Sequence, residues 1–451
     1  MANNPSSHIT KEQLETFEDA FNSSPKNRLS LNAVTKNSVH SVALNRSVVA
    51  GTNHTFSHEL PSNEITEQKK TGRCWLFSGL NVLRTEAIRH LNVKKFELSQ
   101  TYMMFWDKLE KSNYFLESVI STVREPINGR LFMFLLKNPI QDGGQWDMFV
   151  NLVKKYGVAP KQVMPETQSS SDSRVMNAII TAKLREYAAE LRRAHEQGAN
   201  SKVLQVRKVE MLSIIYRMLS IHLGQPPRRF FWQWHDKKEE FHRAGEITPL
   251  EFFERYVQYD LDSIACLINC PTADKPFNKL YTIEYLGNVV DGRIIRYLNV
   301  EMSVFKQAAV NMIKAKRPVW FGCDVGKMME RDLGILDPGI YDYGLVYGSE
   351  FKFDKAQRVD YGQSMMTHAM VLTGVDLDSS DLPTKWRVEN SWGDKLGDKG
   401  FFVMSDRWFN EYIYEIAIEK KYLPDKLLPI LETESVRLPP WDPMGALATA
   451  P

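Results

Sequence analysis

The sequence predicts an α+β fold, and three observations support this prediction. Apolar residues recur at helical spacing in 75–88 and in the long charged segments 175–197 and 203–222. From residue 317 onward, short apolar or alternating runs are separated by Gly, Asp and Pro, which is typical of strands. The 451 residues contain no internal repeat, and their length fits about three domains or one core with large insertions.

The patterns divide the chain into five segments. In chain order these are an N-terminal arm (1–60), a helical part (61–164), a mainly helical insertion (165–316), a β-rich part (317–435) and a C-terminal arm (436–451). Within the helical part, we predict further helices at 98–117 and 145–156, with Gly157 as the stop of the second. Within the β-rich part, we predict strands at 319–323, 368–375, 385–389 and 400–404.

Composition excludes several classes of protein. Apolar residues make up 43% and charged residues 25%, which is close to the average soluble globular chain. The 57 basic and 55 acidic residues nearly cancel, so a chain built mainly to bind phosphates or anionic lipid is excluded. Four cysteines are too few for a disulfide scaffold, and the longest apolar run, 131–136, cannot span a bilayer. With no secretory signal at the N-terminus, we expect a cytosolic protein with reduced thiols.

Cys74 is the first candidate for chemistry. It stands at the start of the predicted helix 75–88, where unpaired backbone N–H groups and the helix dipole favour an anion. A thiol attacks a carbonyl carbon efficiently as a thiolate, so this position favours a nucleophile. Taken alone, Cys74 also fits a small buried apolar side chain, the more common use of a free cysteine.

A histidine and an asparagine later in the chain are typical partners for such a thiol. His368 begins one predicted strand, and Asn390 ends the next, 22 residues later. If these strands are neighbouring and antiparallel, the asparagine carbonyl accepts one ring N–H of His368 and fixes its tautomer. Trp392 can cover that hydrogen bond. Gln68, six residues before the thiol, can hold a developing oxyanion together with the backbone N–H of Cys74.

This order of residues resembles the papain-like cysteine peptidases, a two-lobed fold with a helical lobe and a β-barrel-like lobe. The resemblance implies that Cys74 is the nucleophile, His368 the general base and acid, Asn390 the group that orients it, and Gln68 the oxyanion donor. Gly143 and Gly144, within Asp-Gly-Gly-Gln-Trp, resemble the glycine pair that binds substrate backbone in this family. Without the resemblance, these two glycines fit an ordinary tight turn.

Longer motifs resemble one branch of the family, the bleomycin hydrolases, which are cytosolic aminopeptidases. They are Gly-Arg-Cys-Trp at 72–75, Trp-Phe-Gly-Cys-Asp-Val-Gly at 320–326, Met-Thr-His-Ala-Met at 366–370, Trp-Arg-Val-Glu-Asn-Ser-Trp-Gly at 386–393 and Trp-Asp-Pro-Met-Gly-Ala-Leu-Ala at 441–448. The branch implies a homohexamer whose sites face an inner channel. It also implies a C-terminal arm that reaches the active site near Ala448, so that peptide substrates need a free N-terminus.

The chain departs from the family pattern in three places. Thr71 stands where secreted members have a disulfide-bonded cysteine, which agrees with a reducing compartment. His368 follows Cys74 by 294 residues, against roughly 130–150 in ordinary members, and the helical insertion accounts for the excess. Three residues, Thr449 to Pro451, extend beyond Ala448, which leaves the position of the terminal carboxylate open.

Other interpretations remain open at the level of sequence. The same triad fits an acyltransferase or a thiolactone hydrolase, and a scaffold protein with an inactive site is a weaker alternative. Cys266 and Cys270 have a spacing compatible with zinc, but no histidine follows at finger spacing, so we assign no metal and no cofactor. The basic and aromatic segment 228–243 could contact nucleic acid, although a solvated surface helix or loop is the favoured interpretation.

Overall fold

A computed structural model of the protein describes residues 7–447. Ala448, predicted to contact substrate, lies outside the described residues. The helices are α1 (Lys11–Asn22), α2 (Pro25–Val34), α3 (Val39–Ala43), α4 (Arg46–Gly51), α5 (Cys74–Leu91), α6 (Gln100–Ser121), α7 (Arg130–Lys137), α8 (Trp146–Tyr156), α9 (Gln168–Ser171), α10 (Arg174–Glu196), α11 (Ser201–Leu223), α12 (Pro249–Phe252), α13 (Met302–Lys314), α14 (Tyr343–Tyr347), α15 (Lys355–Asp360) and α16 (Asp406–Tyr412).

The same range contains fourteen strands. They are β1 (His58–Glu59), β2 (Phe230–His235), β3 (Phe241–Ile247), β4 (Ile264–Ile268), β5 (Lys279–Ile283), β6 (Tyr297–Asn299), β7 (Val319–Cys323), β8 (Met329–Glu330), β9 (Ile335–Leu336), β10 (His368–Leu377), β11 (Pro383–Glu389), β12 (Phe401–Ser405), β13 (Ile413–Glu419) and β14 (Val436–Leu438).

The predicted helices and strands of the two main parts are confirmed to within a few residues. The helices predicted at 98–117 and 145–156 are α6 and α8, and the four predicted strands are β7, β10, β11 and β12. Gly157 ends α8 with a φ of 69°, and a Cβ there would lie 2.3 Å from the carbonyl of Pro249. Only glycine fits at this helix end without strain, because both the positive φ and the close approach of the Pro249 carbonyl exclude a side chain.

One twelve-stranded sheet organises the second half of the chain. Its order is β14-β5-β6-β4-β13-β7-β10-β11-β12-β9-β8, and β1 pairs with β10 outside this path. Strands β7, β10, β11 and β12 are antiparallel neighbours. The predicted antiparallel pairing of the strands that carry His368 and precede Asn390 is therefore confirmed.

Side chains of the central strands alternate between two hydrophobic cores. Trp320, Ala369 and Val371 lie in the core that contains α5, whereas Phe321 and Met370 lie in a second core on the opposite face. This alternation follows from the two-residue period of a strand. Helix α5 packs directly on the sheet, since the Ser78 hydroxyl donates to the carbonyl of Ala369 at 2.9 Å. The helical and β-rich parts therefore meet along α5 and β10.

The prediction of a mainly helical insertion at 165–316 is only half correct. Helices α10 and α11 fill its first half, as the amphipathic patterns predicted. Its second half contributes β4, β5 and β6 to the main sheet, where β4 pairs with β13. These strands have five residues or fewer, and their partners lie up to 155 residues away, so local patterns carry little information about them.

A β-hairpin, not a surface helix or loop, occupies most of the segment 228–243. Strands β2 and β3 pair there, and Trp232 is buried against Phe252. Trp234 stacks on His242 with ring centroids 5.0 Å apart. Asp236 accepts hydrogen bonds from Asn92 and from the backbone of two residues of the turn, which closes the hairpin. Trp232 and Trp234 make five ring contacts, two within the hairpin and three that attach it to residues outside it.

The two ends of the described chain differ in how they pack on the rest of the protein. Helices α1 and α2 bury no residue and expose Leu14, Phe17 and Leu29. Near the other end, β14 pairs in parallel with β5, so the C-terminal segment is attached to the sheet. Within residues 7–447, no helix is long and apolar enough to cross a bilayer.

A buried ion pair links α5 to the strand that precedes Asn390. Arg84 donates to Glu389 at 2.6 Å, and the two side chains are 3% and 6% exposed. Arg84 also donates to the backbone carbonyl of Glu64 at 2.9 Å. Because both charges are buried, removing one of them leaves the other without compensation in a medium of low dielectric.

We predict that Arg84→Ala lowers the free energy of unfolding by about 3–5 kcal/mol, because Glu389 then stays buried without its partner. Arg89→Ala, on the same helix, is the matched control. Its side chain is 65% exposed, so we expect a loss of about 1 kcal/mol or less. Urea denaturation followed by tryptophan fluorescence measures the free energy of unfolding of both variants. Equal losses in the two variants would contradict a structural role for the buried pair.

Candidate active site

Cys74 is the first residue of α5 and is completely buried. The turn before it is held by a hydrogen bond from the backbone N–H of Gly72 to a carboxylate oxygen of Asp142, at 3.0 Å. Lys69 adopts a left-handed backbone with a φ of 56°, which is uncommon for a residue with a side chain and often occurs at functional turns. The thiol thus lies at the helix N-terminus predicted from sequence.

His368 and Asn390 are brought together at the other side of the site. Nε2 of His368 and Oδ1 of Asn390 are 2.9 Å apart, and both side chains are buried. Asn390 Oδ1 also accepts the backbone N–H of Ser391 at 2.8 Å, which fixes the orientation of the amide. With Nε2 donating to Asn390, Nδ1 is the ring nitrogen that can exchange a proton with a thiol.

Trp392 covers the histidine ring. Its ring centroid lies 4.8 Å from that of His368 at an angle of 36°. On its other sides the indole contacts the ring of Phe402 and lies 5.0 Å from the guanidinium carbon of Arg331. Trp392 thus lies where the sequence predicts a cover for the His368–Asn390 hydrogen bond, which would be stronger with water excluded.

Gln68 lies between the two halves of the site. Its backbone N–H donates to the carbonyl of Ser391 at 2.8 Å, and the Ser391 hydroxyl donates to Gln68 Oε1 at 2.6 Å. The Nε2 group donates to the carbonyl of Thr71 at 2.6 Å. The amide nitrogen is thus directed to Thr71, three residues before Cys74 in the chain, and its role as an oxyanion donor stays a prediction.

Gly143 and Gly144 lie beside the first turn of α5. A Cβ at Gly144 would lie 2.4 Å from the indole of Trp75, so only glycine fits there. The indole N–H of Trp75 donates to the carbonyl of Asp142 at 2.7 Å, and Lys111 donates to the carbonyl of Gly143 at 2.6 Å. The glycine pair is therefore held tightly against the residue that follows Cys74.

Asp142, one residue before the pair, is a buried carboxylate with several donors. Burial alone would raise its pKa. The Lys108 ammonium at 2.6 Å, with hydrogen bonds from Ser173 and Asn177, outweighs burial and holds the pKa of Asp142 below its ordinary value. Asp142 is therefore charged at neutral pH, and it anchors the turn before Cys74 through Gly72.

The surroundings of the sulfur correct one expectation from sequence. Burial raises the pKa of the Cys74 thiol to about 12, although backbone hydrogen bonds at Ala369, Trp75 and Cys74 lower it. The helix N-terminus alone does not stabilise a thiolate here, because the loss of hydration is the larger effect. The thiol can ionise at neutral pH only if a cation forms beside it at the same time. His368, which immediately precedes Ala369, is the group placed to become that cation.

The C-terminal segment reaches this site. Gln145, next to the glycine pair, donates from Nε2 to the carbonyl of Ala446 at 2.7 Å. Leu447 packs against the core that contains Cys74. Ala446 and Leu447 line a cavity of about 550 Å³, together with Met366 and Thr367 just before His368. The described part of the C-terminal arm thus ends close to the segment that precedes His368.

Several residues that support the site were not found by sequence reasoning. Arg73, between Gly72 and Cys74, is buried and forms an ion pair with Glu166 at 2.9 Å. Lys108 and Lys111, on α6, hold the loop that contains the glycine pair. Neither lysine gave a signal in the sequence, because buried lysines look like the solvated charges of any amphipathic helix. Ser391 was visible only as part of the Asn-Ser-Trp-Gly motif.

A buried cysteine at a helix N-terminus, next to a strand that carries a histidine bonded to an asparagine, defines the class of papain-like cysteine peptidases. The chain matches the model of the Peptidase C1-like family over residues 8–445 and belongs to that family. It is 44% identical over 440 residues to aminopeptidase C of Listeria monocytogenes, covering 98% of this chain and 99% of that protein.

Two further relatives extend this similarity to animals and to a solved structure. The chain is 43% identical over 452 residues to human bleomycin hydrolase, covering 98% of this chain and 99% of that protein. It superposes on the crystal structure of PepW from Lactobacillus rhamnosis HN001 with a TM-score of 0.96 at 46% identity, covering 98% of this chain and 100% of that one. The resemblance to the bleomycin hydrolase branch is therefore confirmed.

We predict that His368→Ala lowers the rate of Cys74 alkylation by iodoacetamide at pH 7 by about a hundredfold or more. Without an imidazolium the buried thiol keeps its raised pKa, so the rate should rise tenfold per pH unit into strongly alkaline buffer. In the unmodified protein we expect a nearly constant rate between about pH 6 and 8.

Mass mapping identifies the modified cysteine, since the pKa values of the buried Cys266, Cys270 and Cys323 are also raised. His242→Ala, on the hairpin, is the matched control and should react like the unmodified protein. Equal alkylation rates with and without His368 would show that this imidazole does not stabilise the thiolate.

Proposed function

We propose that this protein is a thiol-dependent aminopeptidase that uses Cys74, His368 and Asn390 as its catalytic triad. The observation that carries the proposal is the 2.9 Å contact between His368 Nε2 and Asn390 Oδ1, on the strand that packs against the N-terminus of α5. Full-length similarity to aminopeptidase C and to bleomycin hydrolase supports the same reaction class.

In the proposed mechanism, His368 Nδ1 takes the thiol proton while the sulfur of Cys74 attacks the first peptide carbonyl carbon. The carbonyl oxygen becomes an oxyanion, which receives hydrogen bonds from Gln68 Nε2 and from the backbone N–H of Cys74. His368 then gives its proton to the leaving nitrogen, the C–N bond breaks, and an acyl-enzyme thioester remains. Water, deprotonated by His368, attacks the thioester and releases the N-terminal residue.

Asn390 keeps the imidazole in one orientation and one tautomer throughout this cycle. Its amide is itself oriented by the backbone N–H of Ser391, and Trp392 covers the contact. The Nε2–Asn390 hydrogen bond strengthens when the ring becomes cationic, because the donor then carries charge. We assign Asn390 a positioning role for this reason.

The C-terminal arm supports cleavage at N-termini only. The segment up to Leu447 lies beside Gln145, the residue that follows the glycine pair, and we assign it to the acyl side of the thiol. A peptide that extends further on this side would collide with the arm. We propose, as the family resemblance implies, that the arm is trimmed near Ala448 and that the carboxylate formed there binds the substrate ammonium, since a buried pair of opposite charges selects chain ends.

The acyl-enzyme route cleaves any amide that reaches Cys74 with a free amino group on the acyl part. We therefore propose that the protein also hydrolyses the bleomycin amide, the reaction named for the human relative. The four cysteines are free thiols in the structure, which fits our proposal of a cytosolic location.

We propose a homohexamer as the assembly, on the basis of the family resemblance and of the N-terminal arm. The apolar side chains that α1 and α2 expose, such as Phe17 at 58%, form a surface that a second copy of the chain could cover.

We expect sedimentation velocity at micromolar concentration to give a single species of about six chains. A stable monomer would contradict the assembly and the proposal of an inner channel.

For the activity itself, we predict turnover of aminoacyl-naphthylamides and free peptides, and a rate at least a hundredfold lower for the same peptides with an acetylated N-terminus. The acetyl group removes the ammonium and collides with the arm. Cys74→Ser should abolish turnover while circular dichroism and the unfolding midpoint stay unchanged, since the two side chains have similar volume.

Two outcomes would contradict this function. Rapid cleavage of acetylated peptides would indicate an endopeptidase, and retained turnover in Cys74→Ser would exclude the thiol as nucleophile. Cys323→Ser is the matched control, because Cys323 is equally buried but lies on the strand opposite His368 and makes no contact with substrate in the proposed mechanism.

A further inference from the structure

A second cavity of about 440 Å³ opens next to Trp392. We call it the Trp392 cavity. The side chains that matter for its chemistry are Glu67, Lys69, Lys70, Asp172, Arg331 and Trp392. The backbones of 66–68 and 391–393 run side by side along one wall of the cavity. The backbone N–H of Gly393 donates to the carbonyl of Thr66 at 3.1 Å, and the backbone N–H of Gln68 donates to the carbonyl of Ser391.

Among the described residues, the Trp392 cavity shares no lining residue with the cavity that contains Ala446 and Leu447, so the described part of the C-terminal arm leaves it open. In the proposed mechanism His368 protonates the leaving nitrogen, so this nitrogen must lie at the imidazole, and the imidazole contacts Trp392. The part of the substrate that follows the scissile bond therefore extends from His368 along Trp392 into the cavity.

The cavity carries an excess of positive charge. Both of its carboxylates already have a basic partner: Glu67 pairs with Lys69, and Asp172 pairs with Arg174 at 2.9 Å. Lys70 acts together with Arg174 to lower the pKa of Asp172, whereas Arg331 forms no ion pair with a carboxylate within residues 7–447. Two cations at the rim of a cavity favour an anionic ligand, because the low-dielectric walls concentrate their field.

Arg331 has the geometry of a carboxylate receptor. Its guanidinium carbon lies 5.0 Å from the Trp392 ring centroid, which in turn lies 4.8 Å from the His368 ring centroid. The guanidinium is therefore at most 9.8 Å from the His368 ring, the sum of the two distances. An extended residue spans about 3.3–3.6 Å, so the carboxylate of a leaving group of one or two residues reaches it.

We propose that Arg331, assisted by Lys70, binds a carboxylate of the leaving peptide and so favours di- and tripeptides with a free C-terminus. A guanidinium in contact with an indole face keeps its N–H groups available at the edge, where they bind a carboxylate by two hydrogen bonds. This proposal rests on the proposed aminopeptidase function and names the substrate class that the site would prefer.

The experiment uses the full-length protein and three matched tripeptides. One has a free C-terminus, the second has the same sequence as a C-terminal amide, and the third is an amide whose last residue is Asp. For the unmodified protein at low salt, we expect kcat/KM to be about tenfold higher for the free acid than for the neutral amide, the effect of one charge-assisted hydrogen bond at an accessible site.

The preference should lie in KM and should shrink at about 0.5 M salt, because the guanidinium is exposed to solvent. In Arg331→Gln the ratio of acid to amide should fall close to one. Arg228→Gln is the matched control, since Arg228 is an exposed arginine outside the cavity, and it should keep the ratio of the unmodified protein.

The outcomes separate this proposal from the function on which it rests. A higher rate for the Asp amide as well as for the free acid supports a subsite that binds a carboxylate from either source. Equal rates for all three peptides, or an unchanged ratio in Arg331→Gln, would overturn the proposal. Failure to hydrolyse aminoacyl-naphthylamides at all would instead overturn the proposed aminopeptidase function.

Discussion

The contact between α5 and β10 is the constraint on which the active centre depends. Cys74 begins the helix and His368 begins the strand, and the two are 294 residues apart in the chain. Ala369 joins the elements directly, because its carbonyl accepts the Ser78 hydroxyl and its backbone is hydrogen-bonded to the Cys74 sulfur. A change in the angle of α5 on the sheet would separate the sulfur from the imidazole that must accept its proton.

Hydrogen bonds and buried charges hold the loop before Cys74, where secreted papain-like peptidases have a disulfide. Thr71 stands at the position of the missing cysteine; its hydroxyl donates to the carbonyl of Gln68 and accepts from Arg73. Arg73 pairs in turn with Glu166, and Asp142 receives the backbone N–H of Gly72. Such a network needs no oxidising compartment, so it holds the start of α5 without a disulfide.

The sequence predicted those parts of the structure that depend on local spacing or on short motifs. The helix at Cys74, the stop at Gly157 and the strand starting at His368 follow from spacing and turn chemistry, and the antiparallel pairing placed Asn390 beside the histidine. It missed β4–β6 because pairing with other strands, up to 155 residues away for β4, makes these short segments strands. It also missed the rise in the pKa of Cys74, since burial is a property of the folded chain.

The two ends of the chain offer unequal opportunities for engineering. Leu447 lines the cavity of about 550 Å³ together with Gly445 and Ala446, so an affinity tag fused close behind Leu447 would begin inside that cavity. Such a tag would have to pass through the space that a substrate occupies. The opposite end precedes an amphipathic helix that lies outside both hydrophobic cores around the triad. Purification handles therefore belong ahead of α1, where both α1 and α2 bury no residue.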